Sequence, residues 1–543
     1  MTNFTGTLAL TRVALRRDRV QLSVWILVIA GLVAGFAAVV ADFVETQEDI
    51  AEFTSLYVTN PTMRLFGLAS EVSIESFTVT RSWIIWALLV SLMSSLAVVR
   101  HTRQNEDTRC AELIHAGVVG RDAFLASALI VVVIANVLVA VLSALGLMAN
   151  GLPAHGSFAT GASLGALGIA FGGIGAVAAQ LSSSARGANG LAAAALGLLY
   201  LLAGVGNMLG TADEAAYRVS SAWPAWLSPL GWAQQMRPYA DANWWILLLF
   251  AAFFVVMVAV AIFLAGRRDL GRGLISERRG PATASAGLLN PLGLAFRLQR
   301  GILLGWIAGV AAYGVVFGML SNEIEGLFED LEQGAEILER VGGTDEIAAS
   351  FYATVMGIIG SLVAVYALQV LLRMRAEEDE GTLEAVLATS MSRWRWSWSW
   401  VANAAAGTVI LLFVAGLTIG TASGIVMEDL SGQLGSMLEA AMVQIPATLV
   451  IAAVVVAAFG LLPRRAAAVS WFVFGIAVLT GPVVGGLLEL PGWLRDISPF
   501  SHTPLAPAAE VTLLPIAILL AVAGALALAG LVTFRRRDVA RTT

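Results

Sequence analysis

Lysine is absent from this sequence of 543 residues, so all 32 basic residues are arginines. The loop that cradles phosphate in most ATP-hydrolysing proteins reads G-x-x-x-x-G-K-[ST], and its lysine contacts the phosphates. A chain without lysine cannot hydrolyse ATP by this route. We therefore expect a protein that is not itself an enzyme and has no catalytic residues.

Cysteine and histidine are almost as scarce. The single cysteine, Cys110, excludes an intramolecular disulfide framework. The four histidines are scattered along the chain, at His101, His115, His155 and His502. No spacing among them is typical of a metal site, so we predict neither a metal nor a cofactor bound by this chain.

Charge is also low, at 13% of residues, whereas a soluble domain has about 25%. Hydrophobic residues make up 58% of the chain, and its mean hydropathy is +0.81. This composition is typical of a polytopic membrane protein embedded in a lipid bilayer. The first apolar run, residues 20–40, is as long as a full span and lacks a convincing cleavage site, so it predicts a membrane helix rather than a signal peptide.

Long apolar runs recur along the whole chain. A helix needs about 20 apolar residues to cross the hydrocarbon core. This rule predicts an all-α membrane protein with about 12 transmembrane helices, at residues 20–40, 82–99, 123–149, 157–181, 188–209, 243–265, 301–320, 350–372, 398–424, 440–462, 466–488 and 511–533.

The arginines are distributed unequally between the two sides that these helices define. With a cytoplasmic N-terminus, all but six of the 32 fall in cytoplasmic segments. Such asymmetry sets orientation in membranes and predicts a multi-pass protein with both termini cytoplasmic. The six exceptions are Arg64, Arg81, Arg218, Arg237, Arg340 and Arg495. The absence of lysine, together with an excess of alanine and glycine, indicates a GC-rich bacterial genome, so we expect a bacterial cytoplasmic membrane.

The predicted outer loops are acidic, notably residues 44–53 and 322–340. In the second loop, apolar residues recur at helical spacing, which is typical of an amphipathic surface helix. A solvated acidic loop is the equal alternative. The spaced residues are Ile324, Leu327, Phe328 and Leu331.

The chain contains an internal duplication. "RRDRVQLSVWI" (16–26) matches "RLQRGILLGWI" (297–307), and "GRRDL" (266–270) matches "RRRDV" (535–539). With six spans in each half, the copies share one orientation and form parallel repeats. We predict a first half at 1–270, a linker at 271–296 and a second half at 297–543. Asn290 and Pro291 predict the N-cap and first turn of the helix that enters the second half.

A charged loop between the second and third spans occurs in both copies. "RQNEDTRCAELIHAGVVGR" (103–121) and "RAEEDEGTLEAVLATSMSR" (375–393) share arginine and acid positions without gaps. The matched charged residues are Arg103, Glu106, Asp107, Glu112 and Arg121 in the first copy, and Arg375, Glu378, Asp379, Glu384 and Arg393 in the second.

Two interpretations of this loop compete. It could simply anchor the topology, but acids contribute little to orientation. A short helix that presents acids and arginines in fixed register is better explained as a docking site for another protein. The tryptophans that follow, Trp394, Trp396, Trp398 and Trp400, predict an aromatic belt at the membrane surface.

The predicted spans contain no Asp, Glu, Arg or His. Ion-coupled carriers usually place such groups inside the membrane, so their absence disfavours a secondary carrier. It does not exclude one, because backbone carbonyls can bind sodium. A transporter with neither a coupling site nor an ATP-hydrolysing motif needs an external motor.

Over its whole length the chain resembles the membrane subunit of type-2 ATP-binding-cassette exporters, in the actinobacterial group of polyketide-antibiotic and multidrug efflux permeases. The resemblance implies that the charged loops are coupling helices near 104–120 and 376–392. Each would dock one copy of a separate cytoplasmic ATPase, which binds the ATP and magnesium; no nucleic-acid partner is expected. The family's usual glycine is present as Gly381, but Arg109 takes its place in the first copy.

The resemblance further implies export of a hydrophobic or amphipathic compound along a path lined by the second and fifth spans of each half. The candidate path residues are Trp83, Trp86, Met93, Met208, Phe351, Met356, Trp471 and Phe474. Packing inside each half is the alternative role for all of them. Two other classes of function stay open: an ion- or proton-coupled secondary efflux carrier of 6+6 design, and a non-transporting membrane scaffold.

Overall fold

A computed structural model describes residues 3–43, 47–61, 63–108, 110–115, 117–213, 217–269, 271–275, 282–319, 344–487, 490–509 and 511–538. The contacts divide the chain into two compact units, Met1–Gly280 and Pro281–Thr543. Each unit has its own hydrophobic core.

Unit 1 is a helical bundle with one small hairpin. Its core lies around Trp86, Leu164 and Phe171, all fully buried. The antiparallel strands pair Thr211 with Ser220. The elements in chain order are α1 Thr7–Phe43, α2 Gln47–Thr59, α3 Ile74–His101, α4 Arg103–Asp107, α5 Cys110–His115, α6 Ala123–Ala149, α7 Ala154–Leu181, α8 Ala185–Met208, β1 Thr211–Asp213, β2 Arg218–Ser220, α9 Pro229–Gln235 and α10 Ile246–Ala265.

The regular elements among the described residues of unit 2 are all helices, and its core lies around Met356, Tyr366 and Trp400. The elements are α11 Pro291–Met319, α12 Thr344–Asp379, α13 Thr382–Leu387, α14 Arg393–Val426, α15 Leu430–Val443, α16 Ile445–Leu461, α17 Ala466–Leu479, α18 Pro482–Leu487, α19 Gly492–Arg495 and α20 Leu513–Arg536. Short 3-10 turns lie at Met63–Leu65, Trp223–Leu227, Ala286–Leu289, Pro463–Arg465 and Pro499–His502 across the two units.

The described residues include eleven helices that are long and apolar enough to cross a membrane. The predicted all-α polytopic membrane fold, with about twelve spans, is confirmed. The segment predicted at 466–488 does not form one long helix: α17 ends at Leu479 and α18 begins at Pro482. The break follows from Pro482, which has no backbone N–H and disfavours a helical residue before it.

A row of glycines on α7 allows close packing against α6. A Cβ atom added at Gly161 would collide with the backbone oxygen of Ala140, and one at Gly168 would collide with the Asn136 side chain. Small residues permit such close approach between membrane helices. The α6–α7 pair is therefore closely packed within unit 1.

The predicted N-cap at Asn290 and first-turn proline at Pro291 are confirmed. Helix α11 begins at Pro291, and the Asn290 side chain accepts a hydrogen bond from the Leu292 backbone N–H at 3.1 Å. This is the N-cap geometry that satisfies a free donor at a helix start. The amphipathic helix predicted within 322–340 lies outside the described residues.

Unit 1 has a polar cap around the turn at Met63–Leu65. The Arg64 side chain is buried, and it donates to backbone oxygens that include those of Tyr57 and Gly210. Burial lowers the pKa of the Arg64 guanidinium below its usual value. These bonds hold the turn against the end of α8.

Candidate functional site

The charged loop of unit 1 is built from the two short helices α4 and α5. Helix α3 ends at His101, Thr102 leaves helical geometry, and α4 starts at Arg103. The loop thus carries helices that are too short to be stable alone. Contacts with the rest of unit 1 must therefore hold it in place.

Arg103 points into unit 1 and is fully buried. Its guanidinium pairs with Glu106 at 2.7 Å and donates to the backbone oxygens of Gly271 and Arg272 at 3.1 and 3.2 Å. These bonds connect the loop to the segment that follows α10. The side chain predicted to face a partner therefore acts within the chain.

Glu106 completes this connection through Arg268, just beyond the end of α10. The two side chains form two parallel hydrogen bonds, at 2.5 and 2.7 Å, and are 10% and 8% exposed. Arg268 also donates to the Gln180 side chain near the end of α7. Parallel bonds of this kind are strong and fix the relative orientation of both groups.

Unit 2 repeats the arrangement with Glu378 and Arg537. Arg537 donates to both Glu378 carboxylate oxygens, at 2.6 and 2.8 Å, and Arg375 supplies a third bond at 3.1 Å. The Glu378 side chain is 1% exposed. The Arg537 guanidinium also lies over the rings of Phe459 and Phe534, which adds a cation–π attraction.

In each unit, the last arginine of the loop contacts the C-terminal end of that unit's last long helix. Arg121 donates to the backbone oxygen of Ala265, the final residue of α10, at 2.7 Å. Arg393 donates to the backbone oxygen of Arg537, the cap of α20. A cation at a helix C-terminus satisfies free carbonyls and is favoured by the helix dipole. Both loops are thus attached at two points to the last long helix of their own unit.

The second acid of each motif is more accessible. Asp107 accepts a bond from the Ala185 backbone N–H at 2.6 Å, at the start of α8. Asp379 pairs with Arg375 at 2.6 Å and remains 45% exposed in its side chain. Asp107 and Asp379 therefore each make an internal contact and are also accessible to solvent.

Glu112 and Glu384 are the acids that face outward. Both are exposed, on α5 and α13 respectively, and neither side chain forms a hydrogen bond or ion pair with another described residue. Beside Glu112, the side chains of Leu113 and Ile114 are 80% and 36% exposed. Short helices that present an acid and apolar side chains are suited to bind a partner.

Gly381 has a specific conformational role in the second loop. It lies between α12 and α13 with φ of +76°, in the left-handed region. Glycine adopts this region without the steric penalty of a side chain. The matching position in the first loop, Arg109, lies outside the described residues.

Sequence reasoning missed Arg268 and Arg537 as members of the site. A sequence signal for them was present, because both belong to the matched segments "GRRDL" and "RRRDV" that follow the last helix of each half. Nothing in the spacing shows that these exits contact the loops, since 162 and 159 residues separate the paired side chains. Only the folded bundle brings them together.

A cavity of about 300 Å³, lined by both charged and apolar residues, adjoins the first loop. Glu106 and Arg268 form part of its wall, together with Arg121, Asp122 and Asp269. The buried residue Ala111 of α5 also lines it.

The candidate path residues fall into two groups. Trp83, Trp86, Met93 and Met356 are buried inside their own units, which favours the packing role. The less buried residues are Met208, Phe351, Trp471 and Phe474. Of these, Phe474 lines an apolar cavity of about 490 Å³ in unit 2, between α12 and the break that separates α17 from α18.

The four tryptophans at the start of α14 also fall into an exposed pair and a buried pair. Trp394 and Trp398 are exposed, as a belt at the membrane surface requires. The prediction is wrong for Trp396 and Trp400, which are buried and pack against each other in the core of unit 2. Residues four apart share one face of a helix, so the two pairs point in different directions.

The apolar helices and the paired charged loops define a multi-pass membrane permease. The chain is 36% identical over 538 residues to the multidrug efflux system permease protein Rv1217c of Mycobacterium tuberculosis, covering 99% of this chain and 96% of that protein. A family model described as the C-terminal domain of multidrug efflux system permease Rv1217c matches residues 288–535. The chain therefore belongs to the multidrug efflux system permease family.

Proposed function

We propose that this permease is the transmembrane subunit of an ATP-driven exporter, powered by two separate ATPase subunits that dock on its charged loops. The absence of lysine requires an external source of ATP hydrolysis for this mechanism. The observation that carries the proposal is the exposed, matched pair of acids Glu112 and Glu384. ATP and magnesium would be bound by the partner.

The proposed docking surface consists of Glu112, Leu113 and Ile114 on α5, and Glu384 and Ala385 on α13. All five are exposed. Apolar side chains surrounded by charge resemble the core and rim of a protein interface.

The cargo we propose is a hydrophobic or amphipathic small molecule. Support comes from the apolar cavity in unit 2, whose wall includes Ile358, Leu362, Phe474 and Val478 with Ser361 as a polar group. Its volume, about 490 Å³, lies in the range of small-molecule sites. We place the protein in a bacterial cytoplasmic membrane with both termini inside, as the arginine distribution predicts.

A proton-coupled carrier is the second candidate, and one observation favours it. Asp18 is buried and pairs with Arg100 at 3.0 Å and His101 at 2.9 Å. Proton-coupled carriers rely on ionisable groups inside the membrane, and these three residues lie at the ends of the predicted spans 20–40 and 82–99. The carrier predicts export that an uncoupler abolishes while ATP is kept constant, whereas the ATP-driven exporter continues under the same conditions.

Co-purification tests the proposal. The chain is expressed with candidate ATP-binding-cassette ATPases, and the wild type is compared with Glu112→Arg plus Glu384→Arg. We expect charge reversal to abolish ATPase retention and ATP-driven export. A matched control is Asp241→Arg plus Asp496→Arg, which reverses two exposed acids in the predicted outer loops. Normal retention and export by the first double variant would refute docking on these loops.

A further inference from the structure

The contact between each charged loop and the last helix of its unit has a role that docking alone does not require. Glu106 binds Arg268 beyond α10, and Glu378 binds Arg537 beyond α20. Two copies with separate sequences have kept the same bidentate bond. Most of the surrounding residues differ between the copies, so the shared bond needs its own explanation.

The bond is buried as well as duplicated. In both units the loop glutamate is no more than 10% exposed, and a second arginine from the loop, Arg103 or Arg375, supports it. Buried ion pairs add little net stability compared with apolar packing. Their geometric constraint is stronger, because the planar guanidinium donates two parallel hydrogen bonds to the carboxylate and so fixes their relative orientation.

A second contact makes each attachment rigid. Arg121 and Arg393 bind backbone oxygens at the C-terminal ends of the same two helices. An element held at two points cannot rotate freely about either one. Single bonds also involve the first helix of each unit. Arg17 on α1 donates to the Asn105 side chain in the first loop, and Arg373 on α12 donates to the Leu298 backbone oxygen on α11.

We infer that Arg268 and Arg537 are positioning residues that transmit movement of the docked loop to the last membrane helix of each half. This inference rests on the proposed function, because the docked ATPase supplies the movement. A push on α5 or α13 displaces the loop glutamate, and the buried bidentate bond carries that displacement to α10 or α20. The loop and the last helix then move as one body.

The test uses the full chain with its ATPase partner in proteoliposomes and rhodamine 6G as the transported dye. Arg268→Gln and Arg537→Gln are combined, because each half has its own bond. The control is Arg267→Gln plus Arg536→Gln, which removes two neighbouring arginines that are exposed. Three quantities are measured: ATPase retained, ATP hydrolysis without dye, and dye export.

The inference predicts unchanged retention and hydrolysis in Arg268→Gln plus Arg537→Gln. Dye export should fall by at least roughly fivefold, the lower end of couplings between distant sites. The control should export normally. Adding Glu106→Gln and Glu378→Gln should lower export no further, because groups that act as one unit show non-additive losses.

Three results would contradict the inference. Unchanged export in Arg268→Gln plus Arg537→Gln shows that the bond transmits nothing. Loss of ATPase retention together with export makes the pair part of the docking surface instead. If the wild type binds no ATPase, the proposed function is refuted and no movement remains to be transmitted. If the wild type binds its ATPase and Arg268→Gln plus Arg537→Gln exports normally, only this inference is refuted.

A variant that fails to assemble is replaced by Arg268→Lys plus Arg537→Lys. Lysine keeps the charge but cannot form two parallel bonds. The inference predicts a partial loss of export with normal retention, whereas Arg267→Lys plus Arg536→Lys should export like the wild type. Full export by the Arg268→Lys plus Arg537→Lys pair would overturn the requirement for bidentate geometry.

Discussion

Glu106 and Arg268 are joined by two parallel hydrogen bonds, at 2.5 and 2.7 Å, although 162 residues separate them in the sequence. The bond ties the charged loop of unit 1 to the exit of its last helix. Glu378 and Arg537 form the same connection in unit 2. The same contact occurs in both units and shows that each charged loop has residues of two kinds. Glu106 and Glu378 hold the loop in place, whereas Glu112 and Glu384 face outward.

The Asp18 cluster in unit 1 should contribute strongly to stability. The Asp18 side chain is 4% exposed, forms an ion pair with Arg100 and lies 2.9 Å from the ring of His101. Asp18→Ala leaves these groups without their acid, and breaking such a buried pair costs about 3–5 kcal/mol. We expect a clear drop in the thermal unfolding temperature of the purified protein in detergent.

The matched control for Asp18 is Gln299→Ala, at the corresponding position of the second half. Gln299 is also buried, but it is neutral. Its removal leaves no unpaired charge, so the unfolding temperature should fall by less. Equal losses in the two variants would show that the Asp18 charge is unimportant for stability.

Gly381 should be required for the geometry of the second loop. A residue with a side chain pays about 1–2 kcal/mol in the left-handed conformation, so Gly381→Ala should loosen α13. Hydrogen exchange at residues 382–387 should become faster. Gly381→Asn is the control, because asparagine tolerates this region better; equal exchange in Gly381→Ala and the wild type would contradict the account.

Filling the apolar cavity of unit 2 should weaken cargo handling. Gly357 and Gly475 line it, and a Cβ atom added at either meets no neighbouring atom within 4 Å. Gly357→Phe plus Gly475→Phe should therefore fold and occupy the space. We expect the dye concentration for half-maximal export to rise by roughly tenfold, which corresponds to about 1.4 kcal/mol of lost binding.

The control for cavity filling is Gly435→Phe plus Gly524→Phe, where the added atoms also meet open space but do not line the cavity. Its export should match that of the wild type. Normal export by Gly357→Phe plus Gly475→Phe would place the cargo elsewhere.

The sequence predicts the fold well because membrane helices must satisfy their backbone groups internally, and length and hydropathy then locate them. The exception at 466–488 has a local cause in Pro482, which hydropathy does not detect. Trp396 and Trp400 lie on a different face of α14 from Trp394 and Trp398 because of the helical periodicity. The prediction of a membrane-surface belt did not take this periodicity into account.

The charged loops were predictable as a pattern but not as contacts. The shared spacing identifies Glu106 and Glu112 alike, yet the first is bound to Arg268 and the second is exposed. Which face of a short helix meets the bundle depends on tertiary packing. The partner arginines were visible in the matched helix exits, but their proximity to the loops depends on how the helices pack in each unit.

The most direct test of the account is site-specific photo-crosslinking in the assembled transporter. A benzophenone amino acid replaces Glu112 or Glu384 in separate variants, and Asp241 or Asp496 in the controls. The account predicts a crosslink to the ATPase subunit from Glu112 and from Glu384, and none from the controls. A complex that retains its ATPase but gives no crosslink from either loop position would contradict docking on these loops.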